Sequence, residues 1–139
     1  MEIKTQKGLP EDSRMIRESV FVQEQKFTNE FDDVDKDAYH VVLYLGDRPA
    51  ATGRAFAQDE QGTTFLLGRI AVLKEYRKQH LGSRVVAALE AKARELGGGK
   101  AVLSAQLQAR PFYEKLGYQA VGDVYNDEHC PHIKMEKRL

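Results

Sequence analysis

The amino-acid sequence predicts a mixed α/β fold in which helices cover the faces of one sheet. Three observations lead there. Apolar runs of strand length recur along the chain, divided by Gly, Asp and Pro turn signals. A long amphipathic segment past the middle reads as a helix. Strand and helix patterns then alternate, which sets helices against a sheet rather than in a bundle.

Residues Pro10 to Gln25 carry Met15, Ile16, Ser19, Val20 and Gln23 at helical spacings, behind a Glu-Asp-Ser start suited to capping, and predict the first helix. Lys26 to Asp37 is polar and acidic around Phe27, Phe31 and Val34, and reads as a loop pinned by its aromatics; loops this long are often functional. His40 to Leu45 and Ala50 to Ala57 are strands joined through Gly46-Asp47-Arg48-Pro49, a hairpin. Gln58 to Gly62 turns the chain into a third strand, Thr63 to Leu73, whose interior Gly68 suggests a bulge or a close backbone approach. From His80 to Leu96 the residues Leu81, Val85, Val86, Leu89, Ala93 and Leu96 share one helical stripe, stopped by Gly97-Gly98-Gly99. Ala101 to Ala105 is a buried strand, Gln108 to Leu116 a short helix closed by Gly117, Tyr118 to Val124 a strand and Ile133 to Glu136 the last one. With an opening strand the order is β-α-β-β-β-α-β-α-β-β.

Composition bounds the function. A chain of 139 residues and 15.7 kDa reads as one domain, able to bury roughly two-thirds of its unfolded surface without disulfides or a structural metal. Its one cysteine, Cys130, fits a reducing compartment. Twenty-one basic residues balance twenty-one acidic ones, so no broad cationic face is expected and nucleic acid is not the expected ligand. Apolar runs such as Val41 to Leu45 are too short to span a bilayer, and Met1 is followed by Glu2 and Lys4 with no hydrophobic region behind them. A soluble, cytoplasmic protein without membrane partners is the expectation. No repeat and no linker-like stretch divides the chain.

The segment Leu67 to Arg84, L-G-R-I-A-V-L-K-E-Y-R-K-Q-H-L-G-S-R, is a buried strand, a basic loop and a helix start. Free amides at a helix N-terminus, with Arg77 and Lys78 beside them, make an anion site suited to a pyrophosphate. A solvated basic turn would carry the same residues.

The segment resembles motif A of the GNAT superfamily of N-acetyltransferases, a strand of the L-x-R-I-A-V type followed by R/Q-x-x-G-x-G/A. Arg77, His80 and Gly82 stand at its marked positions, with His80 in place of the first glycine. Ser104 to Tyr118, S-A-Q-L-Q-A-R-P-F-Y-E-K-L-G-Y, is similar to the family's motif B, with Gln106 where the family has Asn. The blocks V-F-V-Q-E-Q, Asp33 to His40 and P-H-I-K-M resemble the ElaA-like branch, so the likeness spans nearly the whole chain.

The resemblance implies a mostly antiparallel sheet splayed between its central strands, and acetyl transfer from acetyl-CoA to an amine of a small molecule or peptide. It places the pantetheine arm on backbone groups of Ile70, Ala71 and Val72, and the pyrophosphate on the loop of Arg77, Lys78, Gln79, His80, Leu81, Gly82 and Ser83. Gln106 and Ala109 are implied beside the coenzyme, and Tyr113 at the position that serves the departing thiolate. A free phenol is a weaker acid than an alkyl thiol, so hydrogen-bond donation precedes any proton transfer. Taken alone, Tyr113 also reads as a half-buried aromatic packing beside Phe112.

The general base is not readable. Glu24, Asp33, Asp35, His40 and His132 all sit in the branch-specific blocks, and a water relay serves as well. Of these, Glu24, Asp35, His40 and His132, with Arg69, are the expected acceptor-binding residues, though each also has a structural account. Asp127, Glu128, His129, Cys130 and His132 invite a metal reading, which fails for want of a second Cys/His pair at ligand spacing. Cys130 has no companion motif for nucleophilic catalysis. Arg54 and Arg69 lie in strands that otherwise read as buried, so they should be paired or line a cleft, with Glu30 to Asp37 as the candidate partners. The rival readings are a non-catalytic acyl-CoA-binding or sensing module and, less well supported, a nucleotide-phosphate binder that lacks the usual glycine motifs. A homodimer through a sheet edge is compatible with such folds, although no residue demands it.

Overall fold

A central strand covered on both faces is apolar at nearly every position, and β2 (Tyr39–Leu45) is such a strand. Val41 and Leu43 face one layer of the molecule, and Val42 between them faces the other. The structure, a computed structural model, describes every residue from Met1 to Leu139. Six further strands complete the sheet: β1 (Glu2–Lys7), β3 (Arg48–Ala57), β4 (Thr64–Val72), β5 (Lys100–Gln106), β6 (Gln119–Asp127) and β7 (Cys130–Arg138). Their order is β1-β2-β3-β4-β5-β7-β6, antiparallel throughout except where β4 meets β5. Helix α1 (Glu11–Arg17) packs Ile16 against Val42 and Ala71 on one face. Helix α2 (Leu81–Glu95) and helix α3 (Arg110–Lys115) cover the other through Val85, Leu89 and Tyr113. No helix is long and apolar enough to cross a membrane.

The splay is present. β4 and β5 pair only from Thr64↔Lys100 to Leu66↔Val102. Beyond that point β4 stays with β3 as far as Val72, and β5 stays with β7 as far as Gln106↔His132. A β-bulge accompanies the parting: Arg69 and Ile70 of β4 together face the single residue Gly53 of β3. Bulges bend and twist a strand. The sequence suggests Gly68 as the irregular position, but the left-handed residue is Arg69, at φ 51°. The close approach also lies elsewhere. A Cβ on Gly53 would stand 2.7 Å from Val85 Cγ1 and 2.8 Å from Leu89 Cδ1, so α2 can press on the bulge only because residue 53 has no side chain.

Other boundaries differ for local reasons. The first helix is α-helical only to Arg17 and continues as π-helix from Glu18 to Glu24, which rotates the later side chains off a 3.6-residue stripe. Its buried face is Ser13, Ile16, Arg17 and Val20, while Met15 is exposed. Pro10 precedes it with no side-chain cap, and Ser13 instead bonds Thr52 Oγ1 at 2.8 Å. Lys26 to Asp37 includes a 3-10 turn at Asp33–Lys36. Leu96 falls outside the buried stripe of α2, whereas Glu90 lies within it, accepting from the Tyr118 hydroxyl at 2.7 Å and from Lys137. The His129-Cys130-Pro131 run forms the β6–β7 hairpin, with Glu128 left-handed at φ 54°.

Candidate active site

Where β4 and β5 part, they leave a cavity of about 380 Å³, walled by Leu66 to Ile70 on one side and Leu103 to Gln106 on the other. Unpaired strand edges present amides and carbonyls that a ligand can use. Tyr113 of α3 lines this cavity. Its ring is fixed by edge-on contacts with Phe112 at 4.9 Å and Tyr118 at 5.9 Å between centroids, and its hydroxyl makes no hydrogen bond within the protein. Burial pushes the phenol up to about 12, so it holds its proton and is a donor throughout the neutral range. Gln106 also lines the cavity, donating from Nε2 to Gln25 Oε1 at 2.7 Å, and Ala109 stands beside it.

The loop before α2 is built on two left-handed residues, Lys78 at φ 66° and His80 at φ 62°. Histidine is among the residue types enriched in that region, so His80 takes the conformation a glycine would supply. The helix has no side-chain cap, and Ser83 Oγ donates back to the His80 carbonyl at 2.9 Å. The amides of Leu81, Gly82 and Ser83 belong to the first turn, where an α-helix offers no acceptor. Gly82 lets this turn approach α3, since a Cβ there would lie 3.3 Å from Phe112 Cζ. Arg77 is engaged within the protein: Nε donates to the Val72 carbonyl at 3.0 Å, and Nη1 and Nη2 bind Glu24 at 2.8 and 2.7 Å. The Arg77 hydrogen bonds hold the Glu24 carboxyl below its ordinary value.

The rest of the cavity wall comes from residues distant in the chain. Phe21 arrives from the π-helical segment, Gln25 from its C-terminal cap, Phe27 and Glu30 from the acidic loop, and His132 from β7. The Glu128 carboxylate accepts from Thr28 N, Thr28 Oγ1 and Asn29 N at 2.8–3.3 Å, tying that loop to the β6–β7 hairpin. His132 is fixed by its Nδ1 contact to the Cys130 carbonyl at 3.0 Å.

The expected pairing of strand arginines with acidic residues is present, with a third arginine added. Arg54 Nη1 reaches Asp32 Oδ1 at 2.7 Å and Asp35 Oδ1 at 2.8 Å. Arg69 reaches Glu30 Oε2 at 3.1 Å and Asp32 Oδ2 at 3.4 Å. Arg17, fully buried, joins Glu30 at 2.9 Å and Asp35 at 2.8 Å, under the ring of Phe31. Burial alone would raise Asp35, but hydrogen bonds from Arg17 and Arg54 outweigh it and bring the carboxyl to about 2. Burial pushes Glu30 up and Arg69 down.

Arg69 and His132 therefore meet at the cavity, whereas Glu24 does not line it and is held on Arg77. Asp35 and His40 do not line it. They sit behind it in the arginine network, with His40 Nε2 3.0 Å from the Asp35 carbonyl, and burial lowers the His40 pKa. Of the three strand residues implied for the pantetheine arm, Ile70 lines the cavity, Ala71 packs into the α1 core, and the Val72 carbonyl is taken by Arg77. Arg17 carries no site signal of its own in the sequence, and Phe21, Gln25 and Glu128 lie in segments whose pattern does not point them at a cavity. One indirect signal was available for Arg17: Glu30, Asp32 and Asp35 are three carboxylates for two strand arginines.

A family profile described as acetyltransferase (GNAT) domain matches residues 9–139. A Bacillus subtilis (strain 168) protein called uncharacterized N-acetyltransferase YjcF is 37% identical over 129 residues, covering 91% of this chain and 90% of that protein. The crystal structure of Escherichia coli ElaA shares the fold with a TM-score of 0.86 at 23% identity, over 98% of both chains. A crystal structure of aminoglycoside 6'-N-acetyltransferase complexed with coenzyme A matches with a TM-score of 0.75 at 19% identity, over 99% of this chain and 97% of that one. With a splayed sheet, an uncapped helix behind the splay and a family match over all but its first eight residues, the chain belongs to the GNAT acetyltransferase family.

Proposed function

We propose that the protein transfers an acetyl group from acetyl-CoA to a primary amine of a small molecule or peptide. The carrying observation is the open strand edge between β4 and β5 with the Tyr113 hydroxyl in its cavity, free of any partner within the protein. Acetyl-CoA supplies an activated thioester. The chain supplies the rest. Main-chain groups at Ile70 would hold the pantetheine arm along β4, and the amides of Leu81, Gly82 and Ser83 would hold the pyrophosphate. Lys78, Gln79 and His80 shape that loop, while Arg77, bound to Glu24 and to the Val72 carbonyl, fixes its base. Gln106 and Ala109 border the coenzyme at the end of β5. Tyr113 would donate its hydrogen bond to the sulfur as negative charge gathers there. The acceptor would enter from the side of Phe21, Phe27, Glu30 and Arg69.

Calorimetric titration with acetyl-CoA, followed by thiol release against polyamines, amino acids, aminoglycosides and lysine-bearing peptides, tests this reading. Binding with release on one amine class is the expected result. Binding without release on any amine would favour a sensing module, and absence of binding would remove the coenzyme assignment altogether.

A further inference from the structure

An alkylamine in neutral water is an ammonium ion with no lone pair, so its attack on a thioester needs a group that takes a proton. Seven titratable or charged residues line the cavity in the splay: Glu30, Arg54, Arg69, Tyr113, Asp127, Glu128 and His132. Arg54 and Arg69 are cations and Tyr113 is a phenol. The Glu30 carboxylate is held by Arg17 at 2.9 Å and Arg69 at 3.1 Å. Glu128 spends both oxygens on Thr28 and Asn29. Asp127 is exposed on the outer strand β6. His132 remains.

We propose that His132 is the general base of the transfer, taking the acceptor's proton on Nε2. This rests on the acetyltransferase reading above. The tautomer follows from one contact. Nδ1 lies 3.0 Å from the Cys130 carbonyl, and a carbonyl can only accept, so Nδ1 carries the hydrogen and Nε2 carries the lone pair. Nε2 has no partner in the protein and is not a sealed atom, although the residue is only 6% exposed; the open space it reaches is the cavity. The ring is held in place by stacking on Tyr125 at 6.2 Å and by the edge of Phe27 at 6.4 Å. Register puts it at the β5 wall of the splay, since His132 pairs directly with Gln106, the last residue of β5 and the start of the segment that carries Tyr113. One residue bearing a lone pair and one bearing a donatable hydrogen thus line the same cavity.

The protons balance. The ammonium nitrogen sheds two hydrogens on becoming an amide. The first passes to Nε2 and from there to solvent, freeing the electron pair that forms the N–C bond. As the C–S bond breaks, its electron pair stays on sulfur, which receives the hydrogen bond from Tyr113, and the second hydrogen ends on the thiol.

His132→Asn is the informative variant, because its amide stands near the Nδ1 position and can still donate to the Cys130 carbonyl while offering no base. With spermidine, kanamycin and a lysine-bearing peptide as probes, kcat/KM for the amine should fall about 100-fold. Acetyl-CoA affinity by calorimetry and the melting temperature should be unchanged, and added imidazole should restore part of the rate. The pH profile of kcat/KM should change shape relative to wild type on the same amine. His132→Gln, with its amide near Nε2, should behave alike and covers the case of a variant that fails to fold. Transfer by His132→Asn within about threefold of wild type, or a loss of acetyl-CoA binding equal to the loss of rate, would overturn the role while leaving the transferase reading intact. No transfer by the wild-type protein to any probe would overturn both.

Discussion

Arg17 grips Asp35 through two hydrogen bonds, Nη1 to Oδ1 at 2.8 Å and Nη2 to Oδ2 at 3.2 Å, with both residues buried. The pair joins the first helix to the loop that backs the cavity, and the same guanidinium holds Glu30 in the cavity wall. Removing one member of a buried ion pair leaves its partner charged and unsolvated. Arg17→Ala should lower the unfolding free energy by about 3–5 kcal/mol in urea titrations, a loss that an exposed arginine would not show.

Acid should act through the same cluster. Asp35 sits at about 2 against an ordinary 3.8, so its contribution is complete above the ordinary value and is lost as pH falls through the folded one. That difference amounts to about 2 kcal/mol. Glu30 has the opposite sign: burial raises its pKa, so taking up a proton relieves a cost as pH falls. Stability measured by denaturant against pH should therefore hold as Glu30 protonates and then drop between about pH 4 and pH 2. Asp35→Asn should be less stable at pH 7 and show a flatter drop in that window.

Tyr113→Phe removes one hydroxyl from the cavity and leaves the ring contacts with Phe112 and Tyr118 in place. A hydrogen bond to a charged group is worth about 1.5–3 kcal/mol, so kcat should fall roughly 10- to 100-fold. Acetyl-CoA binding by calorimetry should stay near wild type. Equal turnover in the two proteins would end the leaving-group role.

Gly53→Ala tests the fit of α2 on the bulge. Its new methyl would meet Val85 and Leu89 at 2.7 and 2.8 Å, well inside contact distance. Overpacking of this kind costs about 1–3 kcal/mol, which a lower melting temperature would register. Gly68→Ala, where the nearest atom is 4.0 Å away, should cost less.

The residue patterns that revealed the fold are those in which one face of a regular element carries the message. The stripe of α2 repeats at the helical period and β2 is apolar along nearly its whole length, and the structure buries both accordingly. The arginines of β3 and β4 were legible because charge inside an apolar strand demands a partner, and the acidic loop supplies it. Arg17 was hidden by the converse: on an amphipathic helix a charged residue reads as the wet face, and a turn of π-helix further along blurs the stripe. Gln25, Glu30 and Glu128 reach the cavity region through register and hairpin geometry, which no local pattern encodes. His80 shows a different limit, since its type departs from the motif while its φ of 62° supplies the conformation a glycine would.

The clasp between Glu128 and Thr28 joins residues one hundred positions apart. Every earlier strand can find its neighbour before the C-terminal hairpin exists, but this wall of the cavity has no second half until β7 has slid between β5 and β6. That wall of the cavity therefore depends on the final strand of the chain. A chain ending before Cys130 would keep the pairings of β1 to β5, but it would lack His132 and the strand that seats β6.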